Sequence, residues 1–148
     1  MYLKCKHKGF TLIELISILV IVSIISVTFI TRITPTDTFQ LQASRDQLVA
    51  AFFSAQQKSM VQTQAIQLST SGQTIDIKQD TNSDGNFTNE ASLSIGGVTY
   101  PWSIRANQSL SSSAFVFNHL GQTTAGSVIV SVGEDSVIVN VSNTGFAE

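Results

Sequence analysis

The sequence is poor in the residues that form disulfides, metal sites and catalytic pairs. Of its 148 residues, one is cysteine and two are histidine. The cysteine is Cys5, so the chain after the first few residues has nothing to form a disulfide or a zinc–thiolate site. His7 and His119 are too far apart in sequence to show a zinc-ligand spacing. We interpret His119 as a loop or strand-edge residue.

Charged residues are also scarce, at 12% of the chain, and the formal net charge is −2. The basic residues beyond the N-terminal part are scattered, and nucleic-acid binding needs clustered positive charge, so no nucleic-acid partner is expected. The sequence has no phosphate-binding glycine loop and no Gly-x-Ser-x-Gly elbow. The serine-rich run at 109–113 is interpreted as a polar linker, with nothing nearby to activate a nucleophile. We therefore expect no enzymatic activity.

One long apolar run, from Phe10 to Ile30, follows a start that is rich in lysine. As a helix it would be about 31 Å long, which matches the hydrocarbon core of a bilayer. Lysines before the run and none directly after it place the N-terminus in the cytoplasm. Glu14 is the one carboxylate within the run. An acid at mid-bilayer costs about 2.5–3.5 kcal/mol, which indicates a partner or a function for Glu14.

Residues 8–15, KGFTLIEL, resemble the processing site of type IV pilins and type II secretion pseudopilins. The resemblance implies cleavage after Gly9 by a prepilin peptidase and N-methylation of Phe10. It also implies that Glu14 faces the Phe10 ammonium of a neighbouring subunit during assembly. Loss of the three leader lysines would change the net charge from −2 to −5. The alternative is an ordinary signal peptide, but the apolar run is longer than the usual 7–15 residues and no Ala-x-Ala-like site ends it.

Beyond the apolar run, Pro35 predicts a break within residues 33–36, since proline removes a helix donor. Residues 38–64 have apolar residues at helical spacing and predict an amphipathic helix. Its apolar face is predicted to comprise Leu41, Leu48, Phe52, Ala55 and Ser59, widened by Val49, Phe53 and Met60.

From Ala65 the apolar period changes to two, which predicts about six or seven mostly antiparallel strands. Valines at 128–132 and 137–141 flank Gly133 and predict a closing hairpin. The predicted fold class is α+β, with a long N-terminal helix, half membrane-spanning and half amphipathic, packed on a mostly antiparallel sheet. The expected organisation is a leader at 1–9, a transmembrane helix at 10–30, an amphipathic helix at 31–64 and a periplasmic β-rich domain at 65–148.

This order of elements is similar to that of the GspH/FimT-like minor pilins, as are the phrases at 53–59, 117–121 and 142–146. Within that group, the chain most resembles minor pilins of the mannose-sensitive haemagglutinin pilus type. The resemblance implies an inner-membrane subunit that later enters a pilus near its tip and helps to initiate assembly. The implied partners are the prepilin peptidase, major and minor pilins, the assembly platform and membrane lipid. The alternatives are a type II secretion minor pseudopilin, a tip adhesin or a DNA-uptake pilin.

An acidic, glycine-containing segment at 80–90 resembles the first half of an EF-hand calcium loop. If calcium binds, the expected ligands are Asp80, Asn82, Asp84 and Glu90. Glu90 is the eleventh residue of the loop, however, one position before the usual bidentate acid. The alternative is a polar hairpin tip, because Asp, Asn and Gly favour turns. No other cofactor is expected.

Overall fold

The computed structural model describes residues 9–30 and 37–148, and the chain divides into two compact units, one up to Pro35 and one from Thr36. The first unit contains helix α1, Leu12–Ile30. Among the described residues, no helix is both long and apolar enough to cross a membrane. The transmembrane helix at 10–30 stays a prediction. The break predicted at 33–36 lies outside the described residues, as does the leader up to residue 8.

Helix α1 has apolar side chains that its own unit does not cover. Every side chain described between residues 12 and 25 is exposed, and Leu12 exposes 76% of its surface. The hydroxyls of Ser17 and Ser23 donate to the carbonyl oxygens of Ile13 and Leu19, at 2.8 and 2.7 Å. These bonds to the preceding turn satisfy both hydroxyls within the helix. The surface of α1 therefore needs lipid or protein to cover it.

The second unit combines one helix with two antiparallel sheets. The helix and strands are α2 Asp37–Val61, β1 Ile66–Gly72, β2 Thr74–Gln79, β3 Ser94–Ile95, β4 Val98–Thr99, β5 Trp102–Ser103, β6 Gln108–Phe117, β7 Gly126–Val132 and β8 Asp135–Val141. Six strands form the main sheet in the order β5-β2-β1-β6-β7-β8, while β3 and β4 form a separate pair. The predicted α+β class is confirmed.

Helix α2 lies on one face of the main sheet and buries the face that the sequence predicts. Leu41, Leu48, Phe52, Ala55 and Ser59 are all buried. The ring of Phe52 meets the rings of two β6 residues edge-on, with centroid distances of 5.0 Å to Phe115 and 6.3 Å to Phe117.

The prediction that Phe53 and Met60 widen this face is wrong. Both lie on the side of α2 that the sheet does not cover, where Phe53 exposes 57% of its surface and Met60 51%. The sheet contacts a narrower stripe of the helix than the apolar positions span.

The closing hairpin is confirmed, with Val128 opposite Val139 and Val130 opposite Val137 in the β7–β8 register. The strand number differs from the prediction because residues 94–103 form three strands of two residues each.

The interpretation of residues 109–113 as a linker is wrong, because they lie within β6. Leu110 is buried. Ser111 forms hydrogen bonds to both neighbouring strands. Its carbonyl oxygen accepts the Thr70 hydroxyl at 2.7 Å, and its hydroxyl oxygen accepts the Ile129 N–H at 2.9 Å. Pairing on both sides outweighs the weak strand preference of a serine-rich segment.

Candidate functional site

The N-terminus of α1 is capped by Thr11. The backbone N–H of Glu14 donates to the Thr11 hydroxyl at 3.3 Å, and the Thr11 carbonyl accepts the N–H groups of Glu14 at 3.1 Å and Leu15 at 3.2 Å. Thr11 is therefore the N-cap and Glu14 the third helical residue, in the Thr-x-x-Glu spacing of a capping box. The predictions from the sequence did not include this cap, although the Thr-x-x-Glu spacing is its signal.

The cap places Glu14 in the first turn of α1, not in the middle of the apolar helix. The unsatisfied N–H groups at a helix N-terminus favour a carboxylate there. Glu14 is exposed and forms no salt bridge within the described residues. Gly9 and Phe10 precede the helix, and Phe10 exposes 76% of its surface. The arrangement leaves the carboxylate open to a cation from outside the chain. The predicted roles of Gly9, Phe10 and Glu14 stay predictions.

The acidic segment is a loop that its own side chains hold together. Asp80 is buried, and its carboxylate accepts the backbone N–H groups of Asp84 at 3.1 Å and Gly85 at 2.9 Å. Asp84 in turn accepts the Asn86 N–H at 2.7 Å and the Asn82 side-chain amide at 2.9 Å. These are strong bonds because each acceptor is charged.

The structure brings Asp80, Asn82 and Asp84 into one set of hydrogen bonds, while Glu90 accepts the Thr81 hydroxyl at 2.5 Å. Each oxygen of Asp80 accepts one backbone N–H group and keeps a second lone pair. Within the part of the chain that the structure describes, no group of three or more His, Cys, Asp or Glu side chains is arranged to hold a metal ion. Calcium binding stays a prediction.

The loop is also fastened to the sheet. The ammonium of Lys78, on β2, donates to the carbonyl oxygens of Phe87 at 3.1 Å and Thr88 at 3.5 Å. The Phe87 side chain is buried with 7% of its surface exposed. The loop therefore has a defined conformation on the sheet.

Two of the phrases that support the pilin resemblance meet in space. Gly121 and Gly145 pack so closely that a Cβ on Gly145 would lie 2.1 Å from the Gly121 carbonyl oxygen. Gly145 has a φ of +82°, which also favours glycine. The sequence alone did not predict this contact.

Comparisons with known proteins give a match for the N-terminal segment and a similarity for the fold. Residues 4–30 match the prokaryotic N-terminal methylation motif. No curated protein sequence matches the chain. Among solved structures, the type IV minor pilin FimU of Pseudomonas aeruginosa is similar, with a TM-score of 0.58 and 16% sequence identity. The similarity covers 76% of this chain and 90% of that protein.

The chain carries the N-terminal methylation motif, and its fold is similar to that of a minor pilin. The motif includes Gly9, Phe10 and Glu14, and the fold likeness is at the level of architecture. The narrower resemblance to the mannose-sensitive haemagglutinin type stays a prediction.

Proposed function

We propose that this protein is a minor type IV pilin that is cleaved after Gly9, methylated on Phe10 and incorporated at or near the tip of a pilus, where it supports assembly. The observation that carries the proposal is the N-terminal methylation motif at residues 4–30, in a chain whose second unit has a pilin-like fold. Its role is structural, and the chemistry at Gly9 and Phe10 is done by a prepilin peptidase.

The exposed apolar surface of α1 supports this proposal. The motif implies anchoring in the inner membrane and later residence in a pilus. In the membrane, lipid would cover α1. In the pilus, the helices of neighbouring pilins would cover it. The assembly platform would move the subunit between them.

Glu14 would fix the position of the subunit relative to its neighbour during this transfer. An unpaired carboxylate is costly in apolar surroundings, and pairing with a cation lowers the cost. The Phe10 ammonium of an adjacent subunit would supply that cation, because cleavage after Gly9 creates a new amino group next to the helix.

The processing step is tested by co-expressing the full chain with a prepilin peptidase. We expect a smaller product whose N-terminal sequence begins at Phe10, and the same host with an inactive peptidase serves as the control. Gly9→Val should abolish the size change, because the added side chain obstructs close approach to the cleaved bond. Normal cleavage of this variant would contradict the site assignment.

The position of the mature protein in the filament is tested by immunogold labelling of filaments sheared from the native host. Labelling confined to filament ends supports a tip subunit. Labelling along the shaft would overturn the tip position, and its absence from pili with normal processing would favour a type II secretion pseudopilin.

A further inference from the structure

Three Asn-x-Ser/Thr triplets occur in the sequence, beginning at Asn86, Asn107 and Asn140. This triplet is the acceptor pattern for N-glycosylation of exported proteins. The structure puts the three asparagines in different surroundings. Asn107 donates its side-chain amide to Gln40 at 3.0 Å, and Asn140 lies within β8 with its backbone paired to Glu148.

Asn86 is an exposed residue of the Asp80–Glu90 loop. Its amide oxygen accepts a hydrogen bond, and its amide nitrogen has no partner among the described residues. The oxygen accepts the backbone N–H of Thr88 at 3.0 Å. Asn86 and Thr88 are both exposed, while Phe87 between them is buried. The anchored Phe87 thus holds both recognition residues of the triplet at the surface. An acidic residue, Asp84, stands two positions before Asn86. The corresponding positions before Asn107 and Asn140 are not acidic.

The surface next to Asn86 is concave and polar. A polar recess of about 390 Å³ lies beside Asn86 and Thr88, and its floor includes Gln67, Ser69, Asp76 and Lys78. One carboxylate oxygen of Asp76 is buried without a hydrogen-bond partner within the described part of the chain. A buried acceptor of this kind is normally satisfied. Sugar hydroxyls can bond to the accessible polar groups that line the recess.

We propose that Asn86 is an N-glycosylation site and that its first sugar residue lies over this recess. The donor would be an oligosaccharide on a polyprenyl diphosphate, used by a membrane transferase. A bond forms between Asn86 Nδ2 and C1 of the first sugar, and the C1–O bond to the diphosphate breaks. The diphosphate leaves with the electron pair, and the amide nitrogen releases one proton to the solvent. The inference rests on the proposed function, which brings this domain to the outer side of the inner membrane.

The test is intact-mass and peptide mass spectrometry of the full chain, purified in detergent from its native host. We expect the wild-type mass to exceed that of the processed polypeptide by one oligosaccharide, located on the peptide that contains Asn86. Asn86→Gln and Thr88→Ala should lose the whole increment. Thr88→Ser should keep it, because serine also completes the triplet. Asn107→Gln and Asn140→Gln are the matched controls and should keep it too.

Thermal melting of each variant separates lost modification from lost folding, and Thr88→Ala leaves the backbone bond to Asn86 intact. A wild-type chain that begins at Phe10 and has no added mass would overturn the glycosylation site alone. Added mass that persists in folded Asn86→Gln would overturn it as well. A chain that still begins at Met1 would instead contradict the proposed processing, so the same spectrum separates the two failures.

Discussion

The side-chain amide of Gln56 donates to the carbonyl oxygen of Thr144 at 2.7 Å and so ties α2 to the C-terminal turn. The same nitrogen donates to the carbonyl oxygen of Gly121 at 3.1 Å. One side chain therefore satisfies two turn carbonyls next to the close contact of Gly121 and Gly145.

Gln56→Ala should destabilise the second unit by about 1–3 kcal/mol, because two hydrogen bonds are lost, the partly buried one to Gly121 and the exposed one to Thr144. Urea unfolding of the full chain in detergent, followed by fluorescence of Trp102, measures this loss. Gln57→Ala is the matched control, since Gln57 is exposed on the next helix position. We expect the control to change the unfolding free energy by less than about 0.5 kcal/mol. Equal losses in the two variants would contradict the role of Gln56.

Gly145→Ala should be more destabilising than Gly133→Ala. Both glycines have positive φ, at +82° and +58°, so either alanine incurs a left-handed strain of roughly 1–2 kcal/mol. A Cβ at Gly133 meets nothing within 4 Å, whereas at Gly145 it collides with the backbone of Gly121. We expect Gly145→Ala to lose about 1–3 kcal/mol more in the same urea assay. Similar midpoints for the two variants would show that the turn relaxes without cost.

Phe52→Ala should lower the unfolding free energy by about 3–5 kcal/mol, because it empties the centre of the core. Phe53→Ala should change it by less than about 0.5 kcal/mol, since Phe53 is largely exposed. The two residues are adjacent on α2, so the pair compares burial at nearly constant helix propensity. Calorimetric melting is the measurement. A large loss at Phe53 would mean that its exposed ring is covered in the purified protein.

Glu14→Ala should leave cleavage by prepilin peptidase intact but reduce incorporation into filaments several-fold. The proposed cleavage site lies before the helix, whereas the proposed pairing with Phe10 needs the carboxylate. Immunoblots of sheared filaments and of membranes give the two quantities. Ser17→Ala is the control, because the Ser17 hydroxyl bonds only within α1 in the described residues. Wild-type incorporation of Glu14→Ala would remove the pairing argument.

Asp80→Asn should lower the melting temperature even in the presence of a chelator, since the carboxylate accepts two backbone N–H groups of its own loop. The expected cost is about 1.5–3 kcal/mol, the range for hydrogen bonds to charged groups. The calcium prediction is tested in parallel. If Asp80, Asn82, Asp84 and Glu90 bind calcium, millimolar calcium should raise the wild-type melting temperature and leave Asp80→Asn unchanged. A wild-type melting curve that is the same in calcium and in chelator would end the calcium prediction.

The sequence was most informative where neighbours along the chain decide the structure. The spacing of Leu41, Leu48 and Phe52 identified the buried face of α2, and alternation of valines identified the β7–β8 hairpin. The sequence was misleading where the burial of a side chain depends on an element that is distant along the chain. Phe53 has the same apolar character as Phe52, and only the position of the sheet distinguishes them.

Local periodicity by itself therefore determined the apolar N-terminal helix with its motif, the amphipathic helix and the antiparallel strands, because backbone geometry repeats every 3.6 or two residues. The tertiary structure decided which polar groups meet. Gln56 reaches acceptors 65 and 88 positions away, and Ser111 becomes part of a strand because β1 and β7 lie on either side of it. Contacts over such separations depend on how the helix and sheet pack together, which no short stretch of sequence encodes.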